Sequence, residues 1–314
     1  MTPEASTAHH DPAMLAETLE ILALRPGMVA VDGTLGLAGH AREFVARIAP
    51  GGTLVGLDWD RQMLSLAAER LEALPETKDG GVTLHLVHTN YRGLPEVMDE
   101  LGLKADGILM DLGLNSAQIA DPERGITFAA EGPLDMRMDR SAGEPASAML
   151  NRMAPGEIER GIKEFGDENW ARAIAKVIVE RRKNAPLRTT ADLVECVLAA
   201  IPTGARDRRI HPATRTFQAV RIMVNGELDD LEGALSGAAR CLAPGGRLVV
   251  LSYHSGEDRA AKRAFKALRT EGFVALTDGP VGPGDAEVRR NPRARSAKLR
   301  AIASPHPSSL HTAF

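Results

Sequence analysis

Short apolar runs alternate with helix-like patterns over the first third of the chain. The predicted strands cover residues 29–32, 53–58, 82–88 and 107–111. Between these runs, apolar residues recur at the spacing of helices that bury one face. The predicted helices cover residues 41–48, 61–74 and 94–101. This alternation predicts an α/β domain with a parallel, doubly wound sheet.

The alternation stops between residues 121 and 210, where the pattern indicates no strand. Amphipathic helices separated by prolines are predicted there, at residues 157–164, 169–182 and 190–200. We therefore predict a helical domain, residues 121–210, inserted into an α/β domain that comprises residues 1–120 and 211–314. One continuous domain with long loops is the less favoured alternative, because structureless segments of that length are uncommon in compact domains.

The alternating pattern resumes after the insertion. It predicts helices over residues 214–242 and 257–268 and strands over residues 247–253, 273–277 and 297–303. Residues 304–314 contain two prolines and small polar side chains, so we predict a loose tail there.

The composition is that of an ordinary globular protein, with 44% hydrophobic and 25% charged residues among 314. No apolar run approaches the roughly 18 residues of a membrane-spanning helix. Residues 1–12 lack the basic-then-apolar pattern of a signal peptide. The two cysteines, Cys196 and Cys241, form no Cys-x-x-Cys pair. We therefore expect a cytoplasmic protein without a membrane partner, with both thiols reduced and buried.

The formal net charge of −4 excludes a protein that covers nucleic acid with a uniformly basic surface. Contact with RNA would therefore have to come from local basic patches. Basic side chains cluster at residues 181–183, 206–209 and 289–300. The third and densest cluster contains Arg289, Arg290, Arg293, Arg295, Lys298 and Arg300. Such density in a net acidic chain favours phosphate contacts, with solvated surface as the alternative.

Residues 28–40, MVAVDGTLGLAGH, indicate a ligand site. An apolar strand ends in Asp32, a turn containing Gly36 and Gly39 follows, and a helix begins at once, as in nucleotide-binding α/β sheets. The spacing is not the G-x-G-x-x-G of dinucleotide sites, and an acid beside the turn repels phosphate but attracts an ammonium group. Asp58 ends the second strand, where a carboxylate can accept both ribose hydroxyls of an adenosine. Adenosine with a cation and no phosphate suggests S-adenosylmethionine, and hence a methyltransferase-type pocket.

Other polar side chains follow strands at the same predicted edge. Asp111 ends the fourth strand, where an acid can accept a hydrogen bond from an exocyclic amine and orient it for methylation. Asn115 and Gln118 follow at the predicted mouth of the pocket, and Tyr91 closes the third strand, where its ring could stack on adenine. The alternatives are a helix cap or turn acid for Asp111, loop surface for the two amides and a half-buried core residue for Tyr91.

His254 follows the predicted strand at residues 247–253 and is a further candidate for substrate contact or catalysis. Capping of the next helix by Ser255 is the alternative interpretation of this segment. The chain shows no Ser-His-Asp order and no His/Cys cluster that would indicate a hydrolase or a metal site.

Six motifs, in order along the chain, resemble the signatures of one family. They are DGTLGLAGH (32–40), DPERG (121–125), GPLDMRMD (132–139), HPATRTFQ (211–218), SYHSGEDR (252–259) and NPRARSAKLR (291–300). Together they resemble the ribosomal RNA small-subunit methyltransferase H (MraW) family, from about residue 10 to residue 300.

The resemblance implies a class I (Rossmann-like) methyltransferase fold with an inserted helical domain. It implies N4-methylation of a cytidine in the decoding region of small-subunit (16S) ribosomal RNA, with S-adenosylmethionine as cofactor. The implied partner is that RNA, naked or in an assembled small ribosomal subunit. The family's cofactor contacts fall on Ala38, Gly39, His40, Asp58, Tyr91, Asp111 and Gln118.

The sequence departs from the family pattern at several pocket positions. Ala38 stands where the family has glycine, and we expect a negative φ there because a Cβ is strained at positive φ. Leu35 replaces a phenylalanine, Leu114-Asn115 replaces Val-Ser, and Gly256 replaces a leucine. No departure removes a charged cofactor contact.

Two other functions and one structural choice stay open at this point. The chain could methylate a small molecule or a protein, or it could be a non-catalytic, cofactor-dependent RNA-binding or assembly factor. If the substrate is RNA, either the basic segment at residues 289–300 or the helical insertion could bind it.

Overall fold

The computed structural model describes residues 12–207 and 209–306. The chain divides into two compact units: one runs up to Gly113 and resumes at Asp230, and the other spans Leu114–Asp229. The second unit includes more residues at both ends than the predicted insertion, residues 121–210. Residues 211–229 belong to it because they contain a helix that packs against an earlier helix of the same unit. The predicted tail at residues 304–314 lies largely outside the described residues.

A seven-stranded sheet forms the centre of the first unit. Its strands are β1 (Val29–Asp32), β2 (Thr53–Asp58), β3 (Thr83–His88), β4 (Ala105–Asp111), β5 (Leu242–Ser252), β6 (Val274–Ala275) and β7 (Lys298–Ala303). The order is β3-β2-β1-β4-β5-β7-β6, parallel from β3 to β5, with β7 antiparallel to both of its neighbours. The winding reverses between β1 and β4, which places a crevice at their carboxyl ends. The predicted doubly wound α/β class is confirmed.

Helices flank this sheet and form the second unit. In the first unit they are α1 (Leu15–Leu22), α2 (Gly39–Ile48), α3 (Arg61–Glu72), α4 (Leu94–Leu101), α11 (Leu231–Arg240), α12 (Ser255–Thr270) and α13 (Asp285–Arg290). In the second unit they are α5 (Ser116–Ala120), α6 (Ala146–Arg152), α7 (Pro155–Gly166), α8 (Ala171–Asn184), α9 (Thr190–Ala200) and α10 (Thr214–Asn225). The described residues of the second unit contain no strand longer than an isolated bridge.

The single long helix predicted over residues 214–242 is wrong. The structure has α10 and α11 there, because Gly226 ends α10 in the left-handed conformation, with φ 56°. Its N–H donates to the Ile222 carbonyl, which is a common way for a glycine to close a helix. The predicted strand at residues 273–277 shrinks to the two residues of β6, and α1 and α13 were not predicted.

Each unit has its own hydrophobic core. Fully buried residues of the first core include Phe44, Leu54, Leu109 and Leu251. Those of the second include Ile158, Ile174, Leu193 and Val220. Among the described residues, no helix combines the length and apolar character needed to cross a membrane.

Candidate active site

Three carboxylates meet at the carboxyl edge of the sheet. Asp32 ends β1 and pairs in register with Gly56 on β2 and with Leu109 on β4. Asp58 and Asp111 each lie two residues beyond these partners. Because side chains alternate between the two faces of a sheet, all three carboxylates are on the same face of adjacent strands.

Asp32 is the most deeply buried of the three, at 2% exposure. Its Oδ1 accepts hydrogen bonds from the Thr34 amide at 3.1 Å and the Thr34 hydroxyl at 3.4 Å. Burial raises the pKa of Asp32 to about 7, with a smaller contribution from the charges of Asp111 and Asp58 and against the effect of the Thr34 hydrogen bonds. Near neutral pH this carboxyl can therefore exchange a proton when a cation arrives.

Asp58 connects the glycine-containing turn after β1 to the end of β2. Its Oδ2 accepts the Gly36 N–H and its Oδ1 accepts the Asp60 N–H, both at 2.8 Å. Burial raises its pKa to about 6, although these two amide bonds act in the opposite direction. Each oxygen retains a lone pair, so the carboxylate can still accept two hydroxyl donors from a ligand.

Asp111 is held by a network of short contacts. Its N–H donates to the Thr34 hydroxyl at 2.8 Å, and its Oδ1 accepts the Gly113 N–H at 3.2 Å. The Tyr253 hydroxyl forms a hydrogen bond with its carboxylate. Burial and the charge of Asp111 raise the pKa of Tyr253 far above its usual range, so the phenol stays a neutral donor. A Cβ at Gly113 would lie 2.5 Å from Tyr253 Cε2, so only glycine admits this ring.

Sequence reasoning missed Thr34 and Tyr253. The signal for Tyr253 lies in the pairing of β4 with β5, since Tyr253 follows by two residues Leu251, the register partner of Asp111. That register cannot be obtained from either strand alone. Thr34 stands inside the motif at residues 32–40, but its bridging role depends on the proximity of β1 and β4.

Ala38 corrects an expectation. Its φ is +62°, in the left-handed region, and not negative as predicted. The turn imposes this conformation, because the Ala38 N–H donates to the Leu35 carbonyl at 2.8 Å just before α2 begins. The strain of an alanine there is roughly 1 kcal/mol, and the side chain is fully buried. Gly39 and His40 form the first turn of α2.

His40 faces the carboxylates from α2. Its Nδ1 lies 3.9 Å from Asp111 Oδ2, and its Nε2 lies 3.1 Å from the Ala13 carbonyl oxygen. The structure thus brings together Asp32, Gly36, Ala38, Gly39, His40, Asp58 and Asp111 around one turn and three strand ends.

His254 caps α12, in place of the Ser255 cap considered from the sequence. Its Nδ1 accepts the N–H groups of Gly256 and Glu257 at 3.2 and 3.4 Å, and its Nε2 lies 3.0 Å from Glu257 Oε1. The Glu257 carboxylate in turn accepts the Tyr253 and His254 N–H groups. Only Nδ1 forms hydrogen bonds in this cap. A catalytic role for His254 stays a prediction.

Three further predicted contacts belong to other elements. Asn115 and Gln118 belong to the second unit, where each side chain accepts the other's N–H at the start of α5. Tyr91 begins a short 3₁₀ turn after β3, and the Arg92 guanidinium lies 5.8 Å from its ring centre. A catalytic role for Asn115 and cofactor contacts by Gln118 and Tyr91 stay predictions.

The basic segment at residues 289–300 is not uniform. Arg289, Arg290, Arg293 and Arg295 are exposed on α13 and the following 3₁₀ turn. Lys298 and Arg300 lie on β7 and pair with Asp258, at 3.4 and 2.8 Å. Four of the six cations are therefore displayed to solvent, and two contribute to an ion-pair cluster within the fold.

The other two basic clusters are largely satisfied within the second unit. Arg181 pairs with Asp192, and Arg182 donates to the Leu150 carbonyl at 2.6 Å. Arg206 donates to the carbonyls at the end of α9, and residue 208 lies outside the described residues.

The charge balance of the edge suits a cationic ligand. Within residues 12–207 and 209–306, no lysine or arginine forms an ion pair with Asp32, Asp58 or Asp111. The basic groups beside them are histidines: His40 lies near Asp111 and His88 acts on Asp58. S-adenosylmethionine carries a positive sulfonium and an ammonium group, together with ribose hydroxyls that a carboxylate can accept. The residues present fit this cofactor.

Cofactor binding should tighten as the pH rises through about 6 to 7, because Asp58 and Asp32 must lose protons to attract a cation. Calorimetric titration in buffers of different ionisation enthalpy should show proton release on binding near pH 6.5. Asp32→Asn should reduce both the release and the slope. A flat pH profile in the unmodified protein would contradict this electrostatic account.

The stability of the ligand-free protein should show the corresponding pH dependence. A raised carboxyl pKa contributes stability that is fully present below the unfolded value near 3.8 and is lost as the pH rises through about 7. Asp32→Asn removes the buried titrating group, so it should make the ligand-free protein less sensitive to pH over this range.

A family model and individual relatives with known names match the chain over most of its length. The model of the MraW methylase family matches residues 7–304. The ribosomal RNA small subunit methyltransferase H of Geotalea uraniireducens is 44% identical to the chain, covering 94% of it and 98% of that protein. The protein of the same name from Symbiobacterium thermophilum is 45% identical, with coverages of 94% and 96%. Among solved structures, a putative rRNA-methylase from Clostridium thermocellum has 12% identity and a TM-score of 0.45, with coverages of 94% and 98%.

Proposed function

The chain belongs to the MraW methylase family, and we propose that this S-adenosylmethionine-dependent enzyme methylates N4 of a cytidine in the decoding region of small-subunit (16S) ribosomal RNA. The main support for the proposal is the sheet edge where Asp32, Asp58 and Asp111 meet. Among the described residues, no lysine or arginine pairs with these carboxylates, and the edge lies where the winding of the sheet reverses. The names of the relatives support small-subunit ribosomal RNA as the substrate class.

The turn and the strand ends provide the groups that would hold the cofactor. Asp58 would accept the ribose hydroxyls, and the backbone at Gly36, Ala38 and Gly39 would allow the adenosine to come close because these residues are small. Asp32 and His40 offer a carboxylate and an imidazole to the methionine part. When bound, S-adenosylmethionine supplies a methyl group on a positively charged sulfur, which is a good leaving group.

Asp111 is the group that we assign to the target amine. The lone pair of an exocyclic cytosine amine is delocalised into the ring, so it has to be turned toward the methyl group before it can attack. The Asp111 carboxylate, held by the Gly113 amide and the Tyr253 hydroxyl, accepts a hydrogen bond from the amine and fixes that orientation. After transfer, the amine carries one proton too many, and the same carboxylate can take it.

The exposed part of the basic segment is proposed to contact RNA phosphates. Replacing Arg289, Arg290 and Arg293 with alanine should weaken RNA binding and lower the log–log salt slope by roughly 2–3 units, about one per lost phosphate contact. Binding measured over a range of salt concentrations tests this. Alanine at Lys262, Lys266 and Arg269 on α12 removes the same charge elsewhere and serves as the control. An unaltered slope in the first variant would make the second unit the better candidate for holding RNA.

The proposed function is tested by methyl transfer from labelled S-adenosylmethionine to naked 16S RNA and to assembled small subunits. Transfer to either one establishes the substrate state as well as the activity. Tight RNA and cofactor binding without transfer would support the non-catalytic assembly factor instead. Transfer to a protein or a small molecule alone would support the third alternative.

A further inference from the structure

Residues 12–14, here called the N-terminal strap, lie against the turn that precedes α2. The Pro12 side chain comes within 3.4 Å of the place where a Cβ on Gly39 would lie. The Ala13 carbonyl oxygen is 3.1 Å from His40 Nε2, and Met14 is completely buried. The strap therefore packs on two of the residues assigned to the cofactor.

The strap is held in an unfavourable backbone conformation. Met14 has φ 50° and ψ 38°, in the left-handed region, and begins α1 without any side-chain cap. Residues other than glycine rarely adopt this conformation and need surrounding contacts to maintain it. One such contact is the packing of the fully buried Met14 side chain, and a second comes from a distant part of the chain.

That second contact is made by Glu287. Its Oε1 accepts the Met14 N–H at 2.6 Å, across 273 positions of sequence. The bond is partly buried and its acceptor is a carboxylate, so it belongs to the stronger class of charge-assisted hydrogen bonds. Glu287 lies on α13, the same short helix that displays Arg289 and Arg290.

The strap also determines how His40 faces the carboxylates. A carbonyl oxygen can only accept, so His40 Nε2 must carry the proton that it donates to Ala13. Nδ1 is then the nitrogen directed toward Asp111, 3.9 Å away. If the strap moved away, His40 would lose the hydrogen bond to Ala13 that keeps the proton on Nε2 and helps to orient the ring.

We propose that Glu287 is a positioning residue for cofactor binding, acting through Met14 and Ala13 on His40 and the turn at residues 36–40. Glu287 stabilises the strained strap, the strap fixes His40, and the turn is thereby preformed for the ligand. A preformed site binds more tightly because less ordering remains to be done on binding. The inference rests on the cofactor site of the proposed function and is independent of which nucleoside is methylated.

The test uses the full chain without RNA and S-adenosylhomocysteine as the titrated ligand. Glu287→Ala should weaken its binding by about tenfold, the usual size of one lost charge-assisted hydrogen bond. Glu287→Gln keeps an acceptor for the Met14 N–H and should recover part of the affinity. Asp285→Ala is the matched control, because it removes the same charge from an exposed position on α13.

Two further readouts separate positioning from a general loss of structure. Hydrogen exchange at the Met14 amide should accelerate in Glu287→Ala while the amides of β1 and β4 stay protected. In methyl transfer, the KM for S-adenosylmethionine should rise while kcat at saturating cofactor stays near that of the unmodified protein.

Wild-type affinity in a folded Glu287→Ala protein would overturn the proposal, and so would an equal loss in Asp285→Ala. If Glu287→Ala does not fold, the nearly isosteric Glu287→Gln decides: faster exchange of the Met14 amide together with unchanged affinity overturns the proposal. Absence of RNA methylation with normal cofactor binding would bear on the proposed function alone.

Discussion

Replacing Asp58 with alanine should weaken S-adenosylmethionine binding by about 100- to 10,000-fold. The estimate follows from two charge-assisted hydrogen bonds to ribose hydroxyls at roughly 1.5–3 kcal/mol each. The substitution also removes the acceptor of the Gly36 N–H, so the turn loses its attachment to β2. Calorimetric titration at pH 7.5 measures the change, since Asp58 is mainly ionised there.

Asp58→Asn is the more conservative substitution at the same position. It retains one acceptor oxygen and the shape of the side chain but not the charge, so its affinity should lie between those of the alanine variant and the unmodified protein. Thermal unfolding identifies any loss of fold. Unchanged cofactor affinity in a folded Asp58→Ala protein would remove Asp58 from the site.

Asp111→Asn should lower kcat by about ten- to a thousandfold at saturating cofactor, the usual range for a positioned acid–base group. The amide oxygen can still accept the Gly113 N–H, so the local backbone structure should persist. The charge that orients the amine and can take its proton is lost. Single-turnover transfer to RNA separates this chemical effect from substrate binding.

Asp106→Asn is the matched control for Asp111→Asn. Asp106 lies on the same strand, near its opposite end, where its carboxylate accepts the Val29 N–H at 2.8 Å. Turnover in this variant should stay near normal. If Asp111→Asn also turned over normally, Asp111 would have no part in catalysis.

The sequence predicts the strands of the candidate site well, for a physical reason. β1 and β2 are buried apolar runs, and each ends in the aspartate that the site uses, so the bounds of residues 29–32 and 53–58 agree with the structure. Parallel pairing follows from the strand–helix alternation. The sequence alone therefore places the three carboxylates at one sheet edge.

Features that depend on contacts between distant segments could not be predicted in this way. The left-handed Ala38 is imposed by the hydrogen bonding of its turn, against the local preference of alanine. The cap of α12 is His254, although propensity favours Ser255. The contact between Met14 and Glu287 joins residues 273 positions apart and leaves no periodic pattern.

The identity of the methylated nucleoside decides whether the proposed function is correct. Small subunits or 16S RNA lacking the modification would be incubated with the protein and labelled S-adenosylmethionine, digested to nucleosides and analysed by mass spectrometry. The proposed function predicts N4-methylcytidine at a single position in the decoding region, formed by the unmodified protein and strongly reduced in Asp111→Asn. Label on another base, on another atom of cytidine or on no RNA nucleoside would contradict it.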